Sequence, residues 1–185
     1  VPRRARRAVT IVADQPHQHY RIVAVVGHKN SGKTTLLERL VRRLTDAGVR
    51  VAAIKHTSDE HGFDKPHSDS DRLKRAGAVA VGLAARDEIG LYASRTPELS
   101  ETWLETAIGS LPEPPDLILY EGYRGGPHAK IECILDKGRR APSVGYDEGL
   151  LGIVSTQPIA ATVPVIHPES INEIVDLILR HLRRR

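Results

Sequence analysis

Methionine is absent from the 185 residues, cysteine occurs once, and phenylalanine, tyrosine and tryptophan together make up only 4%. Each scarcity excludes something. A single cysteine, Cys133, cannot build a disulfide framework or a cysteine-based zinc site within one chain. It fits a reducing compartment, most simply the cytoplasm. The lack of methionine predicts that an initiator has been removed or that the chain belongs to a longer product. No apolar run approaches the roughly 20 residues of a bilayer-crossing helix. The Arg-rich start is followed by a few apolar residues (8–13) and then by polar ones, which is no secretory signal. No membrane partner is expected.

Aromatic scarcity also weighs against single-stranded nucleic acid, where bases stack on rings. The net charge of +4 does not restore that reading, because of where the charge lies. Arg3, Arg4, Arg6 and Arg7 at one end and Arg180, Arg183, Arg184 and Arg185 at the other supply eight positive charges, so the remaining chain carries −4. A basic face on a folded body is the electrostatic footprint of nucleic-acid binding; an acidic body with basic tails is not. Residues 1–20 read as a basic leader or linker, with a short strand conceivable at 8–12. Residues 21–185 read as one domain, long enough to bury a core.

What is present is an alternation of strands and helices. Residues 22–26 form a short β-branched apolar run, the pattern of a strand buried on both faces. Leu36, Leu37, Leu40, Val41 and Leu44 then recur at helical spacing, and Gly48 ends that helix. Residues 49–54 return as a strand, completing a βαβ unit. A polar loop over 55–70 follows, then a short helix over 69–77 and strands at 78–84 and 88–93 around a turn at Arg86-Asp87. A helix over 97–111 is predicted with Leu99, Trp103, Leu104, Ala107 and Ile108 inward. Residues 116–120 read as a buried strand and 130–135 as an exposed or antiparallel one. Strands at 150–154 and 163–166 and a helix over 169–182 close the chain. With Gly27-x4-Gly32-Lys33-Thr34 between the first strand and the first helix, the expected fold is α/β: a three-layer P-loop NTPase fold with a mostly parallel sheet and some antiparallel strands.

The chemistry is concentrated in Gly27-His28-Lys29-Asn30-Ser31-Gly32-Lys33-Thr34, followed by Thr35. Gly-x4-Gly-Lys-Thr lies between the buried strand and the amphipathic helix, the context that makes the motif a phosphate cradle. The glycines permit close backbone approach. The loop N–H groups and the positive end of the following helix converge on phosphates. Lys33 supplies a point charge to the β and γ phosphates, and Thr34 a hydroxyl oxygen to Mg²⁺. Lys29 either adds charge or is a solvated loop lysine.

A phosphate loop of this kind needs a carboxylate at the end of a second buried strand. Glu121, closing Leu117-Ile118-Leu119-Tyr120 and followed by Gly122, is the candidate. The loop after the second predicted strand is dense in polar groups, including Lys55, His56, His61, His67 and Asp69, and leaves the strand edge where α/β proteins bind ligands. Asp69 is a second metal-side carboxylate candidate, with helix capping as its competing role. The spacing of the histidines matches no standard zinc motif.

Taken together, Gly-His-Lys-Asn-Ser-Gly-Lys-Thr-Thr-Leu (27–36), Ile-Lys-His (54–56), His-Gly-Phe-Asp (61–64), Asp-Ser-x-Arg (69–72), Ala-Gly-Ala (76–78) and Glu-Gly-Tyr-Arg (121–124) resemble the MobB proteins, adaptors of molybdopterin-guanine dinucleotide synthesis. The likeness runs over about residues 21–156. It implies GTP and Mg²⁺ as ligands, weak GTPase activity, a homodimer, and association with the guanylyltransferase that joins GMP to molybdopterin. Molybdopterin itself or molybdoenzymes are further implied partners. Thr34, Asp69 and Glu121 would surround Mg²⁺, and Lys55 and His56 would lie near the phosphates. One departure is His67-Ser68, where the family usually has Gly-Lys. Guanine preference rests on the resemblance alone, because an Asn-Lys-x-Asp motif is absent. No residue is an obvious water-positioning base, so intrinsic hydrolysis should be slow. The competing readings are an independent small-molecule kinase or ligase, and a metal-insertion GTPase, which the missing Cys/His cluster weakens.

Overall fold

The apolar run at the start of the domain becomes the central strand of a six-stranded parallel sheet. The computed structural model describes residues 20–57, 65–97, 99–135, 141–145 and 149–183. In chain order the elements are β1 (Arg21–Val26), α1 (Lys33–Asp46), β2 (Val51–Lys55), α2 (Asp69–Arg75), β3 (Ala80–Ala84), β4 (Ile89–Ala93), α3 (Glu101–Gly109), β5 (Leu117–Glu121), β6 (Ala129–Ile134), β7 (Leu150–Ser155), β8 (Val165–Ile166) and α4 (Ile171–Arg183). The main sheet runs β2-β5-β1-β6-β7-β8, with every pairing parallel. β3 and β4 form a separate antiparallel hairpin. The expected mostly parallel α/β fold with some antiparallel strands is what the chain adopts. The proposed leader and the possible strand at 8–12 lie outside the described residues, as does the His61-to-Asp64 motif.

Strand alternation divides the core into two layers. Val23 and Val25 of β1, Leu117 and Leu119 of β5, and Ile131 and Cys133 of β6 pack against Leu36, Leu40 and Leu44 of α1 and Ile174 and Ile178 of α4. Ala24, Val26, Ile118, Tyr120 and Ile134 face the other way, onto Tyr20, Val144 and Ile159. Each fully buried leucine or isoleucine contributes roughly 1.5–3 kcal/mol of transfer free energy, most of it offset by the entropy of ordering the chain. Gly48, at φ 82°, ends α1 as predicted; its N–H reaches the Thr45 carbonyl at 2.9 Å and Val49 N–H reaches Leu44 at 3.0 Å. Among the described residues, no helix is long and apolar enough to cross a membrane.

Two expectations are corrected. β6 is neither exposed nor antiparallel: it is a central parallel strand whose Lys130 and Glu132 are buried. Its charges misled because they are satisfied internally and not by water. Lys130 Nζ donates to the carbonyls of Gly126 (2.8 Å) and His128 (3.0 Å). Glu132 accepts from the N–H groups of Ser143 and Val144 and from the Ser143 hydroxyl. The second correction concerns α3, which starts at Glu101 and buries Glu105, leaving Trp103 and Leu104 exposed. Glu105 takes the inward position because the buried Tyr120 ring and the part-buried His128 ring need an acceptor. Its carboxylate receives the Tyr120 hydroxyl at 2.8 Å and lies 3.0 Å from His128 Nε2, while Tyr20 donates to its carbonyl at 3.0 Å.

Candidate nucleotide site

Strand order reverses at β1, which has β5 on one side and β6 on the other, and a crevice opens beyond the carboxyl ends of these strands. The loop from Gly27 to Gly32 lies in that crevice and leads into α1. Gly27 sits at φ 149°, and a Cβ there would meet the Cys133 carbonyl oxygen at 2.5 Å. Gly32 sits at φ 80°, where a Cβ would press on Leu135 Cδ1 at 2.9 Å. Asn30 adopts φ 63°, a region asparagine tolerates better than most residues. The loop also has support from beneath: Cys133 Sγ donates to the Ser31 carbonyl at 2.9 Å.

The N-terminus of α1 is built to receive an anion. Its N-cap is Gly32, which offers no side-chain acceptor, and its first turn holds no acid. The first intrahelical bond is Leu36 N–H to Gly32 at 3.0 Å, so the preceding N–H groups lack intrahelical partners. α2 makes the contrast: there the Ser68 hydroxyl caps the Asp71 N–H at 3.1 Å. Ser31 Oγ is buried without a hydrogen-bond partner among the described residues. Uncapped amides, a positive helix end and an orphaned hydroxyl fit a phosphate chain. Lys33 Nζ folds back onto the His28 carbonyl, within the same loop.

Sheet register delivers the carboxylate. Alternate residues of β5 face α1, so Glu121 follows Leu117 and Leu119 onto that side, in register with Val25 of β1 and Lys55 of β2. It accepts a hydrogen bond from Thr34 Oγ1 at 2.9 Å. Hydroxyl and carboxylate oxygens are the donor set of a small hard cation such as Mg²⁺, which keeps other positions for water and phosphate. Gly122, at φ 87°, turns the chain tightly under β2, where a Cβ would meet the His56 carbonyl at 2.9 Å. The resulting cleft, about 540 Å³, is lined by Gly27, Lys29 to Thr35, Lys55, His56, Thr57, Glu121 and Gly122. The candidate residues of the phosphate loop thus come together with Lys55, His56 and Glu121; exposed His28 meets the cleft through its carbonyl, where Lys33 lands.

Asp69 does not join them. It opens α2 with its side chain 95% exposed, held by Arg72 at 3.3 Å, and does not line the cleft. It lies in the first turn of α2, where the cap is supplied by Ser68. The His67 N–H, at 2.8 Å, and then Arg75 hold the Asp71 carboxyl below the usual carboxylate range. Among the described residues no cluster of three or more His, Cys, Asp or Glu side chains could hold a metal.

His56 is braced by Tyr123 of the Glu-Gly-Tyr-Arg motif and by Glu101, which the sequence pattern did not single out. Its ring stacks on Tyr123 with centroids 4.7 Å apart, and Tyr123 in turn packs on Tyr120 at 5.1 Å. His56 Nε2 lies 3.1 Å from the Glu101 carboxylate, which Arg95 also holds at 2.8 Å. Burial raises the Glu101 pKa, but its own N–H, Arg95 and His56 outweigh that and keep it ionised. Burial first, then Glu105, pushes the Tyr120 phenol well above its ordinary range, so it stays a donor.

These features have counterparts in known proteins. The family model described as molybdopterin guanine dinucleotide synthesis protein B matches residues 22–156. The molybdopterin-guanine dinucleotide biosynthesis adapter protein of Escherichia coli K12 is 28% identical, over 89% of this chain and 94% of its own. That of Haemophilus influenzae is 31% identical, over 85% of this chain and 86% of its own. The crystal structure of Bacillus subtilis MobB aligns at 25% identity over 90% of this chain and 100% of its own, with a TM-score of 0.65. The family model spans most of the chain and includes every element that builds the cleft: this chain belongs to the MobB family.

Proposed function

We propose that this chain is a GTP-binding adapter with weak Mg²⁺-dependent GTPase activity, serving a guanylyltransferase in the synthesis of molybdopterin guanine dinucleotide. The observation that carries the nucleotide reading is the meeting of Thr34 and Glu121 at 2.9 Å beside an uncapped helix N-terminus. Lys33 would leave the His28 carbonyl for the β and γ phosphates, and the loop amides would take the remaining oxygens. Thr34 and Glu121 would hold Mg²⁺, which when bound neutralises charge on the phosphates. Lys55 and His56 line the same cleft and would approach the terminal phosphate.

The adapter role is supported by the relatives, each an adapter protein of molybdopterin-guanine dinucleotide biosynthesis. Slow turnover fits a cleft whose described carboxylate, Glu121, is engaged by Thr34. A homodimer is supported by the hairpin, which carries exposed Leu83 and Ile89 outside the main sheet, with exposed Val79 just before it. The cytoplasm is the compartment in which a chain with one reduced, buried cysteine would act.

The test is phosphate release from GTP with and without a molybdenum cofactor guanylyltransferase. Slow release alone, with increased dinucleotide formation when the two proteins are combined, is the expected outcome. Fast turnover on a small acceptor, with no effect on the guanylyltransferase, would sink the adapter reading.

A further inference from the structure

A second cavity adjoins the phosphate cleft and has no part in the reading above. It measures about 340 Å³, within the range of small-molecule sites, and lies between the end of β2, β4 and the start of α3. It shares Lys55, His56 and Thr57 with the cleft. Part of its lining is apolar: Leu91, Trp103 and Leu104, all exposed in spite of their size. The rest of the lining is polar, and its one carboxylate is already engaged. Glu101 is only 12% exposed and is held between Arg95 and His56. Lys55 and Arg95 outnumber Glu101, so the lining is net positive. An indole wall beside a cationic rim complements a flat ring that carries negative charge.

We propose that this cavity is a second binding site, which takes a flat heterocyclic acid beside the terminal phosphate of the bound nucleotide. Both ligands touch Lys55, His56 and Thr57, so each alters the affinity of the other. Arg95 pairs with the acid group, Glu101 holds Arg95 and His56 in place, and Trp103 covers one face of the ring. The cavity is argued from its own lining; its place beside a nucleotide and the choice of a pterin as probe rest on the proposed function.

The experiment is calorimetric titration of pterin-6-carboxylate into the full chain, with the emission of Trp103, the only tryptophan, as a local reporter. Saturable one-to-one binding that changes the Trp103 emission is expected. Arg95→Ala should weaken it about tenfold, the loss of one charge-assisted hydrogen bond. Ser94→Glu, at an exposed lining position, should abolish it. Lys33→Ala should remove nucleotide binding and leave pterin affinity within about twofold. Failure of the nucleotide reading is thereby distinguishable from failure of this one. Absence of saturable binding, or binding indifferent to both Arg95→Ala and Ser94→Glu, would overturn the assignment. So would sedimentation showing that Ser94→Glu converts a dimer to a monomer, because the cavity would then be an interface between copies.

Discussion

Thr34 and Glu121 are 87 positions apart in sequence and meet because strand register, not local sequence, sets where a carboxylate at the end of β5 points. If that pair holds Mg²⁺, Glu121→Gln should weaken Mg²⁺-dependent nucleotide affinity by about tenfold or more, as loss of a charged ligand from a hard-cation site. Asp69→Asn, at a helix terminus away from the cleft, should leave the Mg²⁺ dependence intact; titrating Mg²⁺ at fixed nucleotide separates the two. A different carboxylate contributes to stability in acid. Asp116 accepts from the Arg50 guanidinium at 2.8 and 3.2 Å and from its backbone N–H at 2.9 Å, which holds its pKa below the ordinary value. Because the folded pKa is the lower one, this bond stabilises fully above the unfolded value near about 3.9, and the stabilisation is lost as pH falls through the folded value. The pair is half-exposed, so Asp116→Asn should cost only about 0.5–1 kcal/mol at neutral pH. The difference from wild type should vanish in urea melts run at acid pH. At this scale Lys33, Thr34 and Glu121 were legible, because each is fixed by a motif or a strand end. Glu101 and Glu105 were not, since a carboxylate in a helix that looks apolar carries no sign of its distant partners His56, Tyr120 and His128.

α1 shows how far an element can be read ahead. Its leucines recur on one stripe, its start is fixed by the glycine loop, and its stop is Gly48. Leu40 is fully buried at the centre of that stripe, between β1 and α4. Leu40→Ala should cost about 2–5 kcal/mol, the sum of lost transfer energy and the cavity left behind. A shift of the urea midpoint with an unchanged slope is the expected signature. β6 and α3 mark where element reading stopped. Alternating charge in β6 looked like a solvent-facing edge because water and buried partners satisfy charge equally well on paper. In α3 the apolar stripe looked like a core face, whereas the core demanded a carboxylate for Tyr120 and His128. Periodicity reports that a face differs from its opposite; it does not report which one is buried.

Across the whole molecule, the order β2-β5-β1-β6-β7-β8 places the glycine loop, Glu121 and His56 at one edge of one sheet. Strand–helix alternation made the fold class legible, but the neighbours of each strand depend on long-range packing that periodicity does not encode. The β3–β4 hairpin lies outside this sheet, and an isolated two-stranded hairpin is marginal in water. Its exposed Ile89, 89% accessible, and Val79 just before it, 84% accessible, should be covered by a second copy. Light scattering should therefore give a dimer for the wild type and a monomer for Ile89→Glu. The central claim, a Mg²⁺-dependent GTP site on this phosphate loop, is tested most directly by titrating GTP and ATP into the chain with and without Mg²⁺, with Lys33→Ala as control. Saturable GTP binding that needs Mg²⁺, exceeds ATP binding and disappears in Lys33→Ala is the predicted result. Tighter binding of ATP, or GTP binding that survives Lys33→Ala, would contradict it.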